Sequence, residues 1–430
     1  MDVLFWTLNA FSIVYVLYFA LIVLLGAFRK PAAYPKAAPK KRIAAVLAAR
    51  NEEGVIGEAV RTLLAQDYPR ELFDVWVIPN NCTDDTEGVA AQAGARVLTC
   101  TDSVRGKGDV LRFAFSHLLS TGRYDAFCIF DADNLVDPGF FSAVNDALCA
   151  GVRVGQGFRD SKNSRESWVS GGMSVFYWFM SRLFNRSRSA LGLSAMLNGT
   201  GVMISADLVR EMGWNTRTLT EDLEFTAQCG LRGEKIAYLE NAVTYDEQPV
   251  GFVASFIQRR RWFRGGLQCM CIYGARLFVR AVRARSLQAL DFGVFFLGNL
   301  MQILCVVPGV ISTVQTVRFV MEHGEPGALL ALGAVVAVAA IAVVSAAAAA
   351  VCHLSGKKWT RELPGVLGFW LIALTWMPAN LSAVLIPPKW RPIAHTSHAT
   401  LEDVKKGGSA RGRGARGRRS RGKASVGEIS

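Results

Sequence analysis

Ala126-Phe127-Cys128-Ile129-Phe130 runs straight into Asp131-Ala132-Asp133, and that junction decides how the chain is read. Five consecutive apolar residues, two of them aromatic, read as a buried strand. A strand that ends in carboxylates puts charge at its carboxyl end, where α/β sheets bind their ligands. Upstream, residues 43–49, 75–79 and 96–100 read as further strands, and residues 55–66, 84–93, 109–119 and 139–148 as amphipathic helices. Strands alternating with helices predict an α/β domain whose mostly parallel sheet carries helices on both faces. Other polar clusters fall on strand ends as well: Arg50-Asn51-Glu52 after the first, Asn80-Asn81 after the second.

Hydrophobic ends flank this domain. The chain has 430 residues, 51% of them hydrophobic, which is too apolar for an ordinary soluble protein. Residues 3–28 form an apolar run of about 26 residues, long enough to span a bilayer. Arg29, Lys30, Lys36, Lys40, Lys41 and Arg42 follow it, so the charge rule puts the N-terminus outside and the domain in the cytoplasm. Three more apolar stretches lie near 289–317, 328–352 and 363–386. Four full crossings would leave the basic tail outside, against the same rule. The last stretch carries Pro364, Pro378, Asn380 and Pro387-Pro388, so one late segment is expected to be re-entrant or interfacial. Residues 168–191 and 252–288, rich in arginine and aromatics, read as interfacial amphipathic helices, with burial against the sheet as the alternative.

The net charge of +13 is concentrated at the end: residues 405–430 carry nine Lys or Arg against Glu428 alone. With almost no apolar residue, 405–430 is expected to be disordered and solvated, within a basic tail at 389–430, with anionic lipid headgroups or RNA as the alternative contact. Nucleic acid is not expected as a partner. The nine scattered cysteines lack a CxxC pair, so neither a disulfide framework nor a zinc site is expected.

The polar clusters carry the chemistry. Asp131 and Asp133, two residues apart, project to one side if the strand continues. A pair of hard oxygen ligands selects Mg²⁺ or Mn²⁺, which completes its shell with phosphate oxygens. The competing reading is a strand-end turn built on Asp-Asn-Leu-Val-Asp-Pro. Thr220-Glu221-Asp222 precedes a helix expected at 223–230, where Asp222 is either a first-turn acid under a Thr220 cap or a general base. Gln258-Arg259-Arg260-Arg261-Trp262 combines guanidinium groups suited to phosphate with a flat indole suited to a sugar ring, or else anchors a membrane face. Lys107, between Gly106 and Gly108, is a nucleotide contact or a helix start. Asp84, three residues before Glu87, reads as a helix N-cap.

Together these residues resemble the family 2 glycosyltransferases, most of all the membrane-embedded branch of cellulose, chitin-oligosaccharide, hyaluronan and poly-N-acetylglucosamine synthases. The resemblance runs from about Ile43 to Trp262. It implies a GT-A, Rossmann-like cytoplasmic domain at 42–265 between a transmembrane helix at 1–30 and membrane segments at 289–388. It assigns Asn51, Glu52, Asn80, Lys107, Asp131 and Arg261 to the nucleotide sugar, with Asn80 standing where the family usually carries an aspartate. Asp131 and Asp133 hold the metal, and Asp222 is the catalytic base. Asn198, Gly199, Thr200, Glu221, Gln258 and Trp262 line the acceptor. The implied reaction is an inverting transfer from a nucleotide sugar, UDP-linked by expectation, onto a polysaccharide or oligosaccharide acceptor at the plasma membrane. A single transfer to a lipid is the alternative, and an inactive membrane scaffold the third reading.

Overall fold

In the computed structural model, which describes residues 2–323, 326–388, 397 and 399–406, the opening apolar run is the fourth of eight strands. The strands are β1 (Ile43–Ala49), β2 (Phe73–Pro79), β3 (Arg96–Val97), β4 (Ala126–Asp131), β5 (Leu135–Val136), β6 (Val154–Ser161), β7 (Val202–Ser205) and β8 (Ala237–Asp246). They form one sheet in the order β3-β2-β1-β4-β7-β6-β8-β5. The first four are parallel, as the alternation with helices requires. Beyond β4 the sheet is mixed: β7 runs antiparallel to both β4 and β6, and β5 antiparallel to β8. The expectation of a mostly parallel sheet therefore holds only for its first half.

The helices in chain order are α1 (Asp2–Ala27), α2 (Ile56–Leu64), α3 (Thr86–Gln92), α4 (Lys107–Ser120), α5 (Phe140–Cys149), α6 (Trp168–Trp178), α7 (Arg186–Ala190), α8 (Ala206–Met212) and α9 (Glu221–Arg232). Then follow α10 (Phe252–Arg283), α11 (Leu287–Leu304), α12 (Val306–His323), α13 (Pro326–Leu354), α14 (Leu363–Leu374), α15 (Trp376–Leu385) and α16 (Leu401–Lys405). Apolar residues alternate across β1 to feed two cores. Ala44 and Val46 join Phe115 of α4 and Phe225 of α9 on one face. Ile43, Ala45 and Leu47 join α2 and α5 on the other. Strands buried on both faces read as unbroken apolar runs, which is why β1, β2 and β4 were legible.

Three local expectations need correction. Asp84 is not the cap of α3: Asp85 holds that position, and the Asp84 carboxylate accepts from the Thr86 and Glu53 amides instead. The strand expected at 96–100 is only Arg96–Val97. Trp168–Trp178 is covered on both sides, by β6 and by α14, so it forms an inner layer rather than a helix with one open face. Its aromatic and methionine content, which suggested an interface, serves packing there. By contrast 252–283 is one 32-residue helix, α10, laid along α11, α15 and α9.

Among the described residues, four helical stretches are long and apolar enough to cross a membrane: Phe5–Ala27, Leu287–Glu322, Leu330–Leu354 and Leu363–Leu385. The last is broken at Thr375 between α14 and α15. Buried Arg259 caps that break, donating to the Ile372 carbonyl at 2.9 Å and to Thr375 Oγ1 at 3.2 Å. Of the expected tail, Leu401–Lys405 forms a capped helix whose Lys405 pairs with Asp137 at 2.9 Å. The expectation for 407–430 lies outside the described residues.

Candidate active site

β4 stops at Asp131 because the chain turns there, so the period-two argument for Asp131 and Asp133 does not apply. The turn gives the two carboxylates different partners. Asp131 meets the Lys107 ammonium, whereas buried Asp133 points toward the end of β8 and accepts from the Glu247 amide at 2.8 Å. Lys107 opens α4 and also donates to the Gly199 carbonyl at 2.7 Å, with Glu221 3.9 Å away. Burial alone would lower the proton affinity of Lys107, but Asp131 and Glu221 outweigh it and hold its pKa above the ordinary lysine value.

Asp222 sits in the first turn of α9, its Oδ1 accepting from the Leu223 amide at 2.8 Å. Thr220 is the N-cap residue but makes no capping bond through its side chain. A helix N-terminus favours an ionised acid by about 0.3–1 kcal/mol. Burial and the neighbouring Glu221 charge act the other way and win, pushing Asp222 up to about 7. Such an acid can gain and lose a proton at physiological pH.

The loop Asn198-Gly199-Thr200-Gly201 forms a wall beside this carboxylate. A methyl group on Gly199 would stand 3.4 Å from Asp222 Oδ2, and both glycines adopt positive φ (84° and 62°). The loop is tied at every residue. Gln156 accepts from the Asn198 amide at 2.7 Å and donates to the Thr200 carbonyl at 2.9 Å. The Thr200 hydroxyl bonds Asn134 Oδ1 and accepts from the Asp131 amide. Arg159 donates to the Asn198 carbonyl and to Asp246 Oδ2. The side-chain nitrogen of Asn198 is buried without a partner among the described residues.

Nucleotide-side candidates gather at the ends of β1 and β2. Asn51, at φ 58°, accepts from the Thr83 amide at 2.8 Å. The Glu52 amide donates to Thr86 Oγ1. Asn80 spends its side-chain amide on the Ala49 carbonyl at 2.8 Å. On α10, Trp262 stacks on Phe176 and meets Tyr177 edge-on, 5.8 Å between centroids. Gln258 Oε1 is buried without a partner among the described residues. Arg259 and Arg260 point away to α14 and α15, Arg260 donating to the Ile386 carbonyl at 2.8 Å. Arg261 has no acidic partner among the described residues.

Several residues here escaped sequence reading: Gln156, Arg159, Tyr177, Asp246, and the Lys162–Glu247 pair at 3.1 Å, which also holds Ser397. The available signal was β6, a wholly buried strand that nonetheless carries Gln156, Arg159 and Asp160. Asp246 lies near Asp131 and Asp133 and is pushed up to about 6 by burial, against the pull of Arg159. Its Oδ1 is buried and unpartnered among the described residues. An unpartnered carboxylate oxygen is the kind of hard donor that a divalent cation takes. Among the described residues no three acids, cysteines or histidines converge to hold a metal unaided, so Asp131 and Asp133 would share Mg²⁺ or Mn²⁺ with phosphate oxygens.

Comparison with known proteins gives this geometry its context. The chain is 27% identical over 241 residues to the beta-monoglucosyldiacylglycerol synthase of Synechocystis sp., covering 54% of this chain and 49% of that one. It is 22% identical over 226 residues to the poly-beta-1,6-N-acetyl-D-glucosamine synthase of Staphylococcus aureus, covering 51% and 53%. The chain thus spans about half the length of these curated relatives. The fold is similar to that of the mannosyltransferase PcManGT of Pyrobaculum calidifontis, solved with GDP-Man and Mn²⁺, at a TM-score of 0.60 and 16% identity over 90% of this chain and 99% of that one. The domain is thereby a GT-A-type α/β fold. The family described as "Glycosyltransferase like family 2" matches residues 39–265, more than half of the chain, and the protein is a member of that family of glycosyltransferases.

Proposed function

We propose that this glycosyltransferase moves a hexose or N-acetylhexosamine from a UDP-linked sugar onto an acceptor hydroxyl at the cytoplasmic face of the plasma membrane, with inversion. The observation that carries the reading is Asp222: a carboxylate with raised proton affinity, walled by a fully tied loop and facing the Lys107–Asp131 pair. Asp222 takes the proton of the acceptor hydroxyl. Asn51, Glu52 and Asn80 seat the nucleoside, while Lys107 and Arg261 hold the diphosphate. A divalent cation on Asp131 and Asp133 would neutralise charge on the leaving diphosphate. Asn198, Gly199, Thr200, Glu221, Gln258 and Trp262 orient the acceptor.

The acceptor we favour is a lipid that receives one sugar. α10, which carries Gln258 and Trp262, begins at an exposed apolar patch of Val250, Phe252 and Val253, with Trp168 stacked on Phe252. The likeness to glucosyldiacylglycerol synthases supports the same reading. Elongation of a glycan is the second reading, supported by the likeness to poly-N-acetylglucosamine synthase. The test uses purified full-length protein in detergent with Mg²⁺ or Mn²⁺ and a panel of nucleotide sugars, with and without diacylglycerol and other lipids. Lipid-dependent nucleoside diphosphate release with a product one sugar heavier is expected. A ladder of repeating sugars would replace the lipid reading with the polymer one, and release unaffected by chelator would remove the metal.

A further inference from the structure

We infer that Arg159 is a positioning residue for the transfer: its guanidinium ties the Asn198 carbonyl, and with it the loop beside Asp222, to the Asp246 carboxylate on β8. The inference rests on the reading of Asp222 as the base. Arg159 is 8% exposed in the middle of β6, where a bare cation would cost several kcal/mol. One arm of the fork is neutralised by Asp246 Oδ2, itself steadied by Gln248 Nε2 at 2.8 Å. The other arm grips the Asn198 carbonyl. The Tyr177 ring lies over the guanidinium at 3.9 Å and in turn meets Trp262 at 5.8 Å. Arg159 thus joins the loop, β8 and the aromatic wall of the acceptor side. A lysine lacks the planar fork whose two arms reach the Asn198 carbonyl and the Asp246 carboxylate here.

Position also sets the field at the base. The groups that face Asp222 are Glu221 on its own helix, Lys107 from α4, Arg159 from β6, Tyr177 from α6 and Cys269 from α10. Glu221 raises its proton affinity; Lys107 and Arg159 lower it.

The test compares Arg159→Gln, Arg159→Lys and Asp246→Asn in the full-length protein. Readouts are the pH profile of kcat/KM, kcat, donor KM, calorimetric binding of Mg²⁺–UDP, and Tm. Arg159→Gln is expected to move the acid limb up, because a cation near a carboxylate lowers its pKa. Its kcat should fall about 100-fold, the usual effect of a misplaced group, with Mg²⁺–UDP binding within about twofold of wild type. Arg159→Lys should keep the limb yet lose kcat. Asp246→Asn, which leaves the Arg159 charge unneutralised, should move the limb down. Limb shifts of opposite sign cannot come from loosened packing. An unmoved limb in all three variants, or losses in kcat that only track Tm and UDP binding, would overturn the inference. Asp222→Asn run in parallel separates the two claims: near-normal turnover there removes the base and this inference with it, whereas a dead Asp222→Asn beside an unaffected Arg159→Gln removes the inference alone.

Discussion

A carboxylate at the start of a helix should ionise easily, and Asp222 does not. Its folded proton affinity lies above the ordinary aspartate value of 3.8, so ionisation opposes folding. The penalty is absent below about pH 4, grows as pH rises, and is complete above about 7. Asp222→Asn should therefore raise Tm at pH 8 and leave it unchanged below pH 4, while lowering kcat roughly 10²–10⁴-fold. A Tm that falls at pH 8 would show that the carboxylate is a structural support. Wild-type kcat/KM should climb with pH through an acid limb near 7, as Asp222 becomes able to accept a proton. Asp222 was visible in the sequence because it stands in a short polar cluster before a helix. Arg159 was not, because a charge inside a strand acquires meaning only from the strand and loop placed against it.

Elements meet where side chains are missing. Gly171 of α6 and Gly365 of α14 cross backbone to backbone: a Cβ on Gly365 would lie 2.5 Å from the Gly171 carbonyl carbon. Small residues at such crossings let helices of membrane regions pack closely. Gly365→Leu should push α14 off α6 and cost about 1–3 kcal/mol, read as a lower Tm in detergent. Leu367→Val, on the exposed side of the same helix, should change little. Equal losses in both variants would mean that α14 tolerates no change anywhere and that the crossing is not special. Because α6 supplies Tyr177 and Phe176 to Trp262, the Gly365 variant should also raise the acceptor KM. The sequence showed 168–191 as aromatic and basic but not which neighbour covers it, since either a membrane surface or another helix accepts the same residues.

For the molecule as a whole, a buried ion pair joins the domain to its long apolar helices. Arg188 of α7 bonds Asp291 of α11, both almost wholly buried, and Tyr18 of α1 donates to the other Asp291 oxygen at 2.6 Å. Removing one partner of such a pair strands a buried charge at a cost of about 3–5 kcal/mol. Arg188→Leu should sharply lower Tm, and Arg188→Leu with Asp291→Leu should recover most of it, less about 1 kcal/mol for the orphaned Tyr18 hydroxyl. If the double variant is no better than the single one, the three elements are not coupled through this pair.

By itself the sequence determined the strand and helix alternation of the first half, the apolar ends and the polar clusters on strand ends. Each of these follows from local pattern, a period of two or 3.6 and a change from apolar to charged. Only the tertiary structure decided that β7 enters antiparallel, that Asp131 and Asp133 take different partners at a turn, and that Gln156, Arg159 and Asp246 hold the loop beside Asp222. Those outcomes depend on contacts between residues tens to a hundred positions apart, where burial and hydrogen-bond pairing, rather than local propensity, select the arrangement.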